Sequence, residues 1–368
     1  MEYHSQDLLL KIALTHLPNV GAILARNLVG FAGGVEAVFK QRKSELLKIP
    51  GIGDKTADEI VRKKSFDKAE RELKFIERHD ITPLFYLDND YPFRLKRIKD
   101  APLLLYFKGN CDLNTARVVA IVGTRKPTVY GINQCEKFVD HVRNMGVTII
   151  SGLAYGIDIV AHRKALEVGL PTIGAMGSGM DRIYPATHKK AALDMLSNGG
   201  LITEFGHGTK PDRENFPMRN RIIAGMCDAL LVIESDVKGG SMITAEMANN
   251  YHKDVFAVPG RVGDQWSRGC NFLIKTNRAA LVDEPDDLVS AMHWKELEGS
   301  RDVQRSIFVD LTDVQQRIFD MLDYSDPVSV DRLYKESNLS SSELASILLN
   351  LEFMGLIKAL PGKVFLKV

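Results

Sequence analysis

The sequence is poor in cysteine and nearly balanced in charge. Its 368 residues include four cysteines, without Cys-x-x-Cys or Cys/His spacing, and this pattern argues against a zinc site or a disulfide framework. The formal net charge is +1, which excludes a globally basic surface. Any nucleic-acid binding therefore has to come from local placement of Arg and Lys. We expect no metal ion and no cofactor.

Long apolar runs and targeting signals are also missing. No uninterrupted apolar stretch approaches the roughly 18 residues of a membrane-spanning helix. The amino terminus has neither the basic region nor the small-residue cleavage site of a signal peptide. We therefore expect a soluble, cytoplasmic protein that makes no use of a membrane.

Two nucleotide-binding motifs of common enzymes are absent. The P-loop pattern GxxxxGK[ST] does not occur, and GxGxxG fails because Arg182 stands where its third glycine would follow Gly177 and Gly179. Mononucleotide hydrolysis and dinucleotide redox chemistry therefore lose support.

The length predicts two or three domains, of which residues 1–80 form a small helical one. Residues 17–21 (LPNVG) and 49–53 (IPGIG) each precede a helical pattern. This repeated unit resembles a tandem helix-hairpin-helix or SAM-like domain. Such glycine turns present backbone N–H groups that suit a DNA phosphate, but they also serve merely as tight turns. Both interpretations stay open.

The pattern of residues 81–292 predicts an α/β domain with an extended Rossmann-like, doubly wound parallel sheet. Near-continuous apolar runs, as in strands buried on both faces, alternate with helical stretches; the runs are RVVAIVG, VTIISG, PTIGAMG, LITEF, ALLVIES and VFAVPG. Residues 293–307 are polar and predict a linker. Residues 308–368 resemble a winged helix. Its predicted recognition helix, residues 340–354, has no Lys or Arg, which favours a protein partner over DNA.

The carboxyl ends of the predicted strands carry glycine and charge. Ligands of open α/β sheets bind at these ends, and glycines beside helix amino termini form anion-binding surfaces. Arg125 follows the first strand, and Arg219 and Arg221 stand where a helix is expected to begin after Phe216-Pro217. We expect several phosphates to bind along this rim. Its carboxylates can cap helices or act in catalysis, and its aromatic residues can stack on bases or pack in the core; they are Asp158, Asp181, Glu204, Glu234, Glu246, Tyr155, Phe205 and Phe216.

Seven segments occur in one order between residues 123 and 264: GTRKPTVYG, SGLAYGIDIVAH, GSGMDRIYPATHKK, ITEF, NFPMRNRIIAG, VIESDVKGGSMITAEMA and VFAVPGRVGD. Together they resemble the DNA-processing protein A (DprA/Smf) family. The resemblance implies a protein that is not an enzyme, binds single-stranded DNA, usually as a homodimer, and loads the RecA recombinase during natural transformation and recombination. It also implies a site for DNA phosphates at Gly123, Thr124, Arg125, Ser151, Gly152, Gly156, Lys189 or Lys190, Arg219, Asn220 and Arg221. The glycine-rich strand ends add Gly177, Ser178, Gly179, Gly240 and Ser241 to the predicted site.

Two alternatives remain. Residues 239–246 (GGSMITAE) are similar to the PGGxGTxxE signature of lysine-decarboxylase-like phosphoribohydrolases, which cleave nucleoside monophosphates, although Ser241-Met242 departs from that pattern and no proline precedes it. Glu246 would be the catalytic carboxylate. The other alternative is a recombinase adaptor that binds DNA only weakly and uses the winged helix as its partner surface.

Overall fold

The computed structural model describes residues 2–294, 311–323, 327–337, 339–354, 356–360 and 362–367. They fall into two compact units, Met1–Ser300 and Arg301–Val368, each of which is described by itself. From residue 295 onward, the predicted linker at 293–307 lies outside the described residues.

The first unit begins with six helices. They are α1 (Glu2–Thr15), α2 (Ala22–Ala32), α3 (Val35–Lys40), α4 (Lys43–Leu46), α5 (Asp54–Val61) and α6 (Phe66–His79). The two glycine turns seen in the sequence precede α2 and α5, with Gly21 and Gly53 at the N-cap positions. The helices enclose a core that includes Leu28 and Ile60, and this core continues onto the apolar residues Phe85 and Leu104 of the adjoining sheet. The helices and the sheet therefore share one packed interior.

The sheet of this unit has nine strands. They are β1 (Thr82–Phe85), β2 (Leu104–Asn110), β3 (Arg117–Gly123), β4 (Val147–Ser151), β5 (Thr172–Ala175), β6 (Gly199–Thr203), β7 (Ala229–Ile233), β8 (Asp254–Ala257) and β9 (Ala280–Leu281). The spatial order is β1-β2-β6-β5-β4-β3-β7-β8-β9. Strands β3 to β9 pair in parallel with one another, whereas β2 pairs antiparallel with both β1 and β6. The six predicted strands correspond to β3–β8.

Helices cover both faces of the sheet. They are α7 (Phe93–Lys96), α8 (Val129–His141), α9 (Ile157–Glu167), α10 (Lys189–Asp194), α11 (Asn215–Met226), α12 (Gly240–Asn250), α13 (Arg268–Lys275) and α14 (Pro285–Ala291). Alternate residues of β3 point to opposite faces: Val118 and Ala120 join a core with α11 and α12, whereas Val119 and Ile121 join a core with α8 and α9. The predicted doubly wound α/β fold is confirmed.

The second unit is a winged helix, as predicted. It contains α15 (Asp313–Asp320), β10 (Val328–Ser329), α16 (Val330–Ser337), α17 (Ser341–Phe353), β11 (Ile357–Leu360) and β12 (Val364–Lys367). The strands form an antiparallel sheet in the order β10-β12-β11. Ser340 caps α17 in a capping box with Glu343, and Leu344, Leu348 and Leu351 recur at helical spacing on its buried face. Within the described residues of the chain, no helix has the length and apolar character needed to cross a membrane.

Candidate nucleic-acid interface

A large pocket opens at the carboxyl end of β3. This strand has parallel neighbours on both sides, β4 and β7, so the connections from β3 and β7 leave in different directions and open a crevice between them. The pocket has a volume of about 740 Å³, and we call it the switch-point pocket. Its lining includes Gly123, Thr124, Arg125, Lys126, Ala154, Asp158, Tyr184, Pro211, Arg213, Phe216, Arg219, Asn220, Ser235, Asp236, Gly239, Gly240, Ser241 and Trp266.

A narrow cleft shares one wall with this pocket. Arg125, Tyr184 and Phe216 line both, and the cleft also contains Gly152, Tyr155, Gly177 and Ser178. Pocket and cleft together bring ten of the sixteen predicted site residues to one place. The six others are Ser151, Gly156, Gly179, Lys189, Lys190 and Arg221, which line neither.

Arg125 is the exposed cation of the predicted motif Gly123-Thr124-Arg125. The loop that carries it is fixed by its backbone, because the Thr124 N–H donates to the carbonyl oxygen of Glu234 at 2.7 Å. Thr124 is buried, whereas the Arg125 side chain is exposed and its guanidinium lies 5.6 Å from the centre of the Phe216 ring. A positive charge and an aromatic face therefore stand side by side at the mouth of the pocket, where they suit a phosphate and a base.

Gly156 shapes the site without lining it. It adopts φ +82°, and a Cβ atom there would lie 2.1 Å from the Thr124 carbonyl oxygen. Without a side chain, the loop after β4 can approach the loop after β3, and the Ile157 N–H donates to that same oxygen at 3.2 Å. The close contact requires glycine.

Arg219 is a buried cation beneath the pocket. Its side chain is only 3% exposed, and its Nη1 donates to the carbonyl oxygens of Gly152 and Ala175, which follow β4 and end β5. Burial lowers the pKa of Arg219 to about 10, while the nearby Asp158 carboxylate acts in the opposite direction. The guanidinium thus stays protonated at neutral pH, and it braces the loops on which the pocket is built.

Ser151 is also internal. Its hydroxyl is fully buried and donates to the Ile121 carbonyl oxygen, so this side chain supports the loop from below. Ser241 is buried as well and donates to the hydroxyl of Ser235 at 2.7 Å. The Ser178 hydroxyl donates to the Arg182 carbonyl oxygen at 2.7 Å.

Arg221 points away from the pocket. It forms an ion pair with Glu204, and both side chains are largely buried. Helix α11 begins at Asn215, before the predicted start, so residues 219–221 lie within it and successive side chains are turned by about 100°. Three consecutive helical residues cannot all face one crevice. The structure therefore brings Arg219 and Asn220 to the pocket and leaves Arg221 outside.

The remaining predicted residues, Gly179, Lys189 and Lys190, lie in the segment between β5 and β6. Lys189 and Lys190 are exposed in the first turn of α10, after β5. A Cβ atom on Gly179 would lie 2.5 Å from the Gly206 carbonyl oxygen, so this glycine permits contact between the loops after β5 and β6. Phosphate contacts at all sixteen predicted positions stay a prediction.

The rim carboxylates are held by protein groups or lie elsewhere. Glu234 accepts hydrogen bonds from the Thr128 N–H and hydroxyl. Asp158 is buried, and burial raises its pKa. Glu246 is exposed on α12 and lines a different pocket, with Phe272 and Asn277. Among the residues that the structure describes, no group of three or more His, Cys, Asp or Glu is arranged to hold a metal ion.

Among the pocket residues that sequence reasoning missed are two cations, Lys126 and Arg213, and two aromatic residues, Tyr184 and Trp266. Lys126 directly follows the recognised motif, and Arg213 lies in the loop after a predicted strand, so both carried a usable signal. Tyr184 reaches Phe216, with ring centres 5.9 Å apart. Trp266 lies far along the chain, and no spacing pattern connects it to the other residues.

Family models match most of the chain. Residues 82–293 match the model of DNA recombination-mediator protein A, and residues 309–363 match the DprA winged helix domain. Protein Smf from Synechocystis is 31% identical, over 95% of this chain and 96% of that protein. DNA processing protein DprA from Streptococcus pneumoniae is 42% identical, over 56% of this chain and 73% of that protein.

Two solved structures are similar at more than 25% identity. The X-ray structure of DNA processing protein A from Streptococcus pneumoniae has a TM-score of 0.67 at 32% identity and covers 77% of this chain and 96% of its own. The structure of DNA processing protein A from Helicobacter pylori has a TM-score of 0.54 at 29% identity and covers 58% and 97%. The Helicobacter protein is described in terms of its single-stranded DNA binding mode.

Proposed function

The chain belongs to the DNA recombination-mediator protein A family, and on that premise we propose that it binds single-stranded DNA at the switch-point pocket. The observation that carries this proposal is the pairing of the exposed Arg125 guanidinium with the Phe216 ring at the pocket mouth. A single strand offers phosphates to the cation and unpaired base faces to the ring. The single-stranded DNA binding of the Helicobacter pylori relative supports the same activity.

The charge of the pocket favours a polyanion. Four cationic side chains line it, from Arg125, Lys126, Arg213 and Arg219, against two acidic ones. The whole chain carries a net charge of only +1, so positive charge is concentrated here. The open amides at the start of α12 add the partial positive charge of a helix amino terminus.

The role that we propose in the cell is to protect incoming single strands and to load the RecA recombinase onto them, in DNA uptake and recombination. We propose that the protein acts as a homodimer, without catalysing a reaction and in the cytoplasm. The recombination-mediator family supports this role. In a test with RecA and single strands coated by single-strand-binding protein, we expect the protein to shorten the lag of RecA filament formation. An unchanged lag would contradict the loading role and leave DNA binding untouched.

DNA binding is tested by fluorescence anisotropy with a short labelled strand and its duplex at several salt concentrations. We expect preference for the single strand, with log K falling against log salt by about 0.7 for each phosphate contacted. The same preparation is assayed for release of base from nucleoside monophosphates. Base release without strand binding would support the phosphoribohydrolase, whose predicted Glu246 lies outside the switch-point pocket.

A further inference from the structure

A second pocket, of about 700 Å³, lies at the carboxyl ends of β7 and β8. Pro259, Gly260 and Arg261, which belong to the VFAVPGRVGD segment, follow β8 and line none of the switch-point pocket. We call this the distal pocket. It is lined by Thr128, Tyr130, Glu234, Pro259, Gly260, Arg261, Asp264, Gln265, Trp266 and Ser267.

The walls of the distal pocket are held in place by hydrogen bonds. The Gly260 N–H donates to the Asn271 side chain at 3.1 Å, and the Asn271 amide donates back to the Gly260 carbonyl oxygen at 2.9 Å. The Tyr130 hydroxyl donates to the Pro259 carbonyl oxygen at 2.7 Å. The aromatic ring of Tyr130 is therefore fixed against the turn, which lowers the entropy cost of using it as a binding surface.

The carboxylate of the distal pocket is already bound by protein groups. Glu234 accepts the Thr128 N–H at 2.8 Å and the Thr128 hydroxyl, at the amino terminus of α8, where the helix dipole favours a negative charge. This arrangement occupies both oxygens. Glu234 is thus part of the frame of the pocket and does not offer an unsatisfied base or ligand.

Trp266 connects the distal pocket to the switch-point pocket. It is the only aromatic residue that lines both cavities within the described part of the chain. Its backbone is fixed, because its carbonyl oxygen accepts the Ser235 N–H, just after β7, at 2.6 Å. An indole held between two cavities is a platform on which a base can stack.

We propose that the bound single strand continues from the switch-point pocket past Trp266 into the distal pocket. A base stacks on the indole beside Tyr130, and the exposed guanidinium of Arg261 binds an adjacent phosphate. This inference rests on the proposed DNA binding and extends its footprint to a second pocket. Asp264 is an exposed acidic residue of the same lining and can accept a hydrogen bond from an N–H group of the base.

The first test uses tryptophan fluorescence. The chain has two tryptophans, and the other, Trp294, is partly buried and packs against the core that includes α8 and α9. Trp294→Phe leaves Trp266 as the only emitter, and we expect oligothymidylate to quench its fluorescence. The matched control, Trp266→Phe, leaves only Trp294, whose emission is expected to stay constant. Strand binding by anisotropy without quenching of Trp266 would overturn the inference.

The second test varies strand length from about 3 to about 12 nucleotides, within the range that single-strand-binding folds occupy. Tyr130→Ala is expected to weaken binding of the longer strands roughly fivefold or more, which is the stacking of one base, and to leave the shortest unchanged. Tyr130→Phe keeps the ring and is expected to retain most of the affinity. A Tyr130→Ala loss that is the same at every length would overturn the inference.

The Arg261→Ala variant tests the proposed phosphate contact independently. It is expected to reduce the slope of log K against log salt by about 0.7 for long strands only. The control variant, Lys275→Ala, removes an exposed cation of α13 outside both pockets. It is expected to leave the slope unchanged. If short strands bind and longer strands bind with no higher affinity, the distal pocket is not part of the footprint and the proposed function stands. If no strand of any length binds, the proposed function itself fails.

Discussion

Replacing Arg125 by alanine is expected to weaken single-strand binding by about five- to tenfold and to leave the fold intact. The side chain is exposed, so we assign its phosphate contact about 1 kcal/mol, between a screened surface ion pair and a charge-assisted hydrogen bond. A change of 1.4 kcal/mol is tenfold in affinity. Loss of one contact also reduces the salt slope by about 0.7.

The fold is expected to survive because the loop is held by its backbone. The Thr124 N–H donates to the Glu234 carbonyl oxygen, and the Ile157 N–H donates to the Thr124 carbonyl oxygen; neither bond involves the Arg125 side chain. The lost cation–π contact with Phe216 is exposed and is worth about 0.5–1 kcal/mol. The midpoint of thermal unfolding should therefore move by only a few degrees.

Anisotropy titrations at several salt concentrations measure both quantities. Arg125→Lys is expected to keep the salt slope and to lose only the planar, two-pronged contact. Arg163→Ala removes an exposed arginine of α9 outside the pocket and the cleft, and serves as the charge-matched control. If Arg125→Ala binds with wild-type affinity and slope, or if Arg163→Ala loses as much, the assigned role of Arg125 is refuted.

Three further predictions concern the support of the site. Arg219→Ala is expected to lower the free energy of unfolding in urea by about 3 kcal/mol, since it leaves Asp158 buried without its cation; an unchanged midpoint would contradict the bracing role. Gly156→Ala places a Cβ atom 2.1 Å from the Thr124 carbonyl oxygen and is expected to reduce strand affinity. The control is Gly169→Ala, because Gly169 has a similar φ of +76° but no atom within 4 Å of the added Cβ, and this variant is expected to bind the strand normally. Burial lowers the pKa of His162 to about 3 from 6.5, so the folded state binds fewer protons and stability falls as the pH drops from 6.5 toward 3; His162→Asn should flatten this profile in urea melts.

The central sheet could be predicted because its strands are buried on both faces. Runs such as those of β3 and β7 are apolar without interruption, and the match over residues 82–293 confirms the family that the ordered motifs suggested. Strands β1 and β9 gave no such signal. Strand β1 has four residues with Pro83 inside, and β9 has two residues, so each depends on its neighbour for its conformation.

The orientation of side chains could be predicted less well. Pro217 predicted that α11 begins after it. The helix begins at Asn215, two residues before the proline, because proline is tolerated in a first helical turn. Within α11, successive side chains turn by about 100°, and this rotation decides which of the three residues Arg219, Asn220 and Arg221 face the crevice. Sequence also cannot distinguish a cation that binds ligand from one such as Arg219, which is committed to carbonyl oxygens of the sheet.

Glycine at the rim illustrates the same ambiguity, because tight packing and ligand approach both require a missing Cβ. An added Cβ would lie within 2.6 Å of protein atoms at Gly123, Gly152, Gly156 and Gly179, and 3.1 Å from the Phe216 ring at Gly177. Gly240 differs, since nothing lies within 4 Å of its position. It is the first residue of α12 and lines the switch-point pocket. Of the six site glycines, Gly240 is therefore the one whose Cα faces open space, whereas the others permit close packing of the loops around the pocket and the cleft.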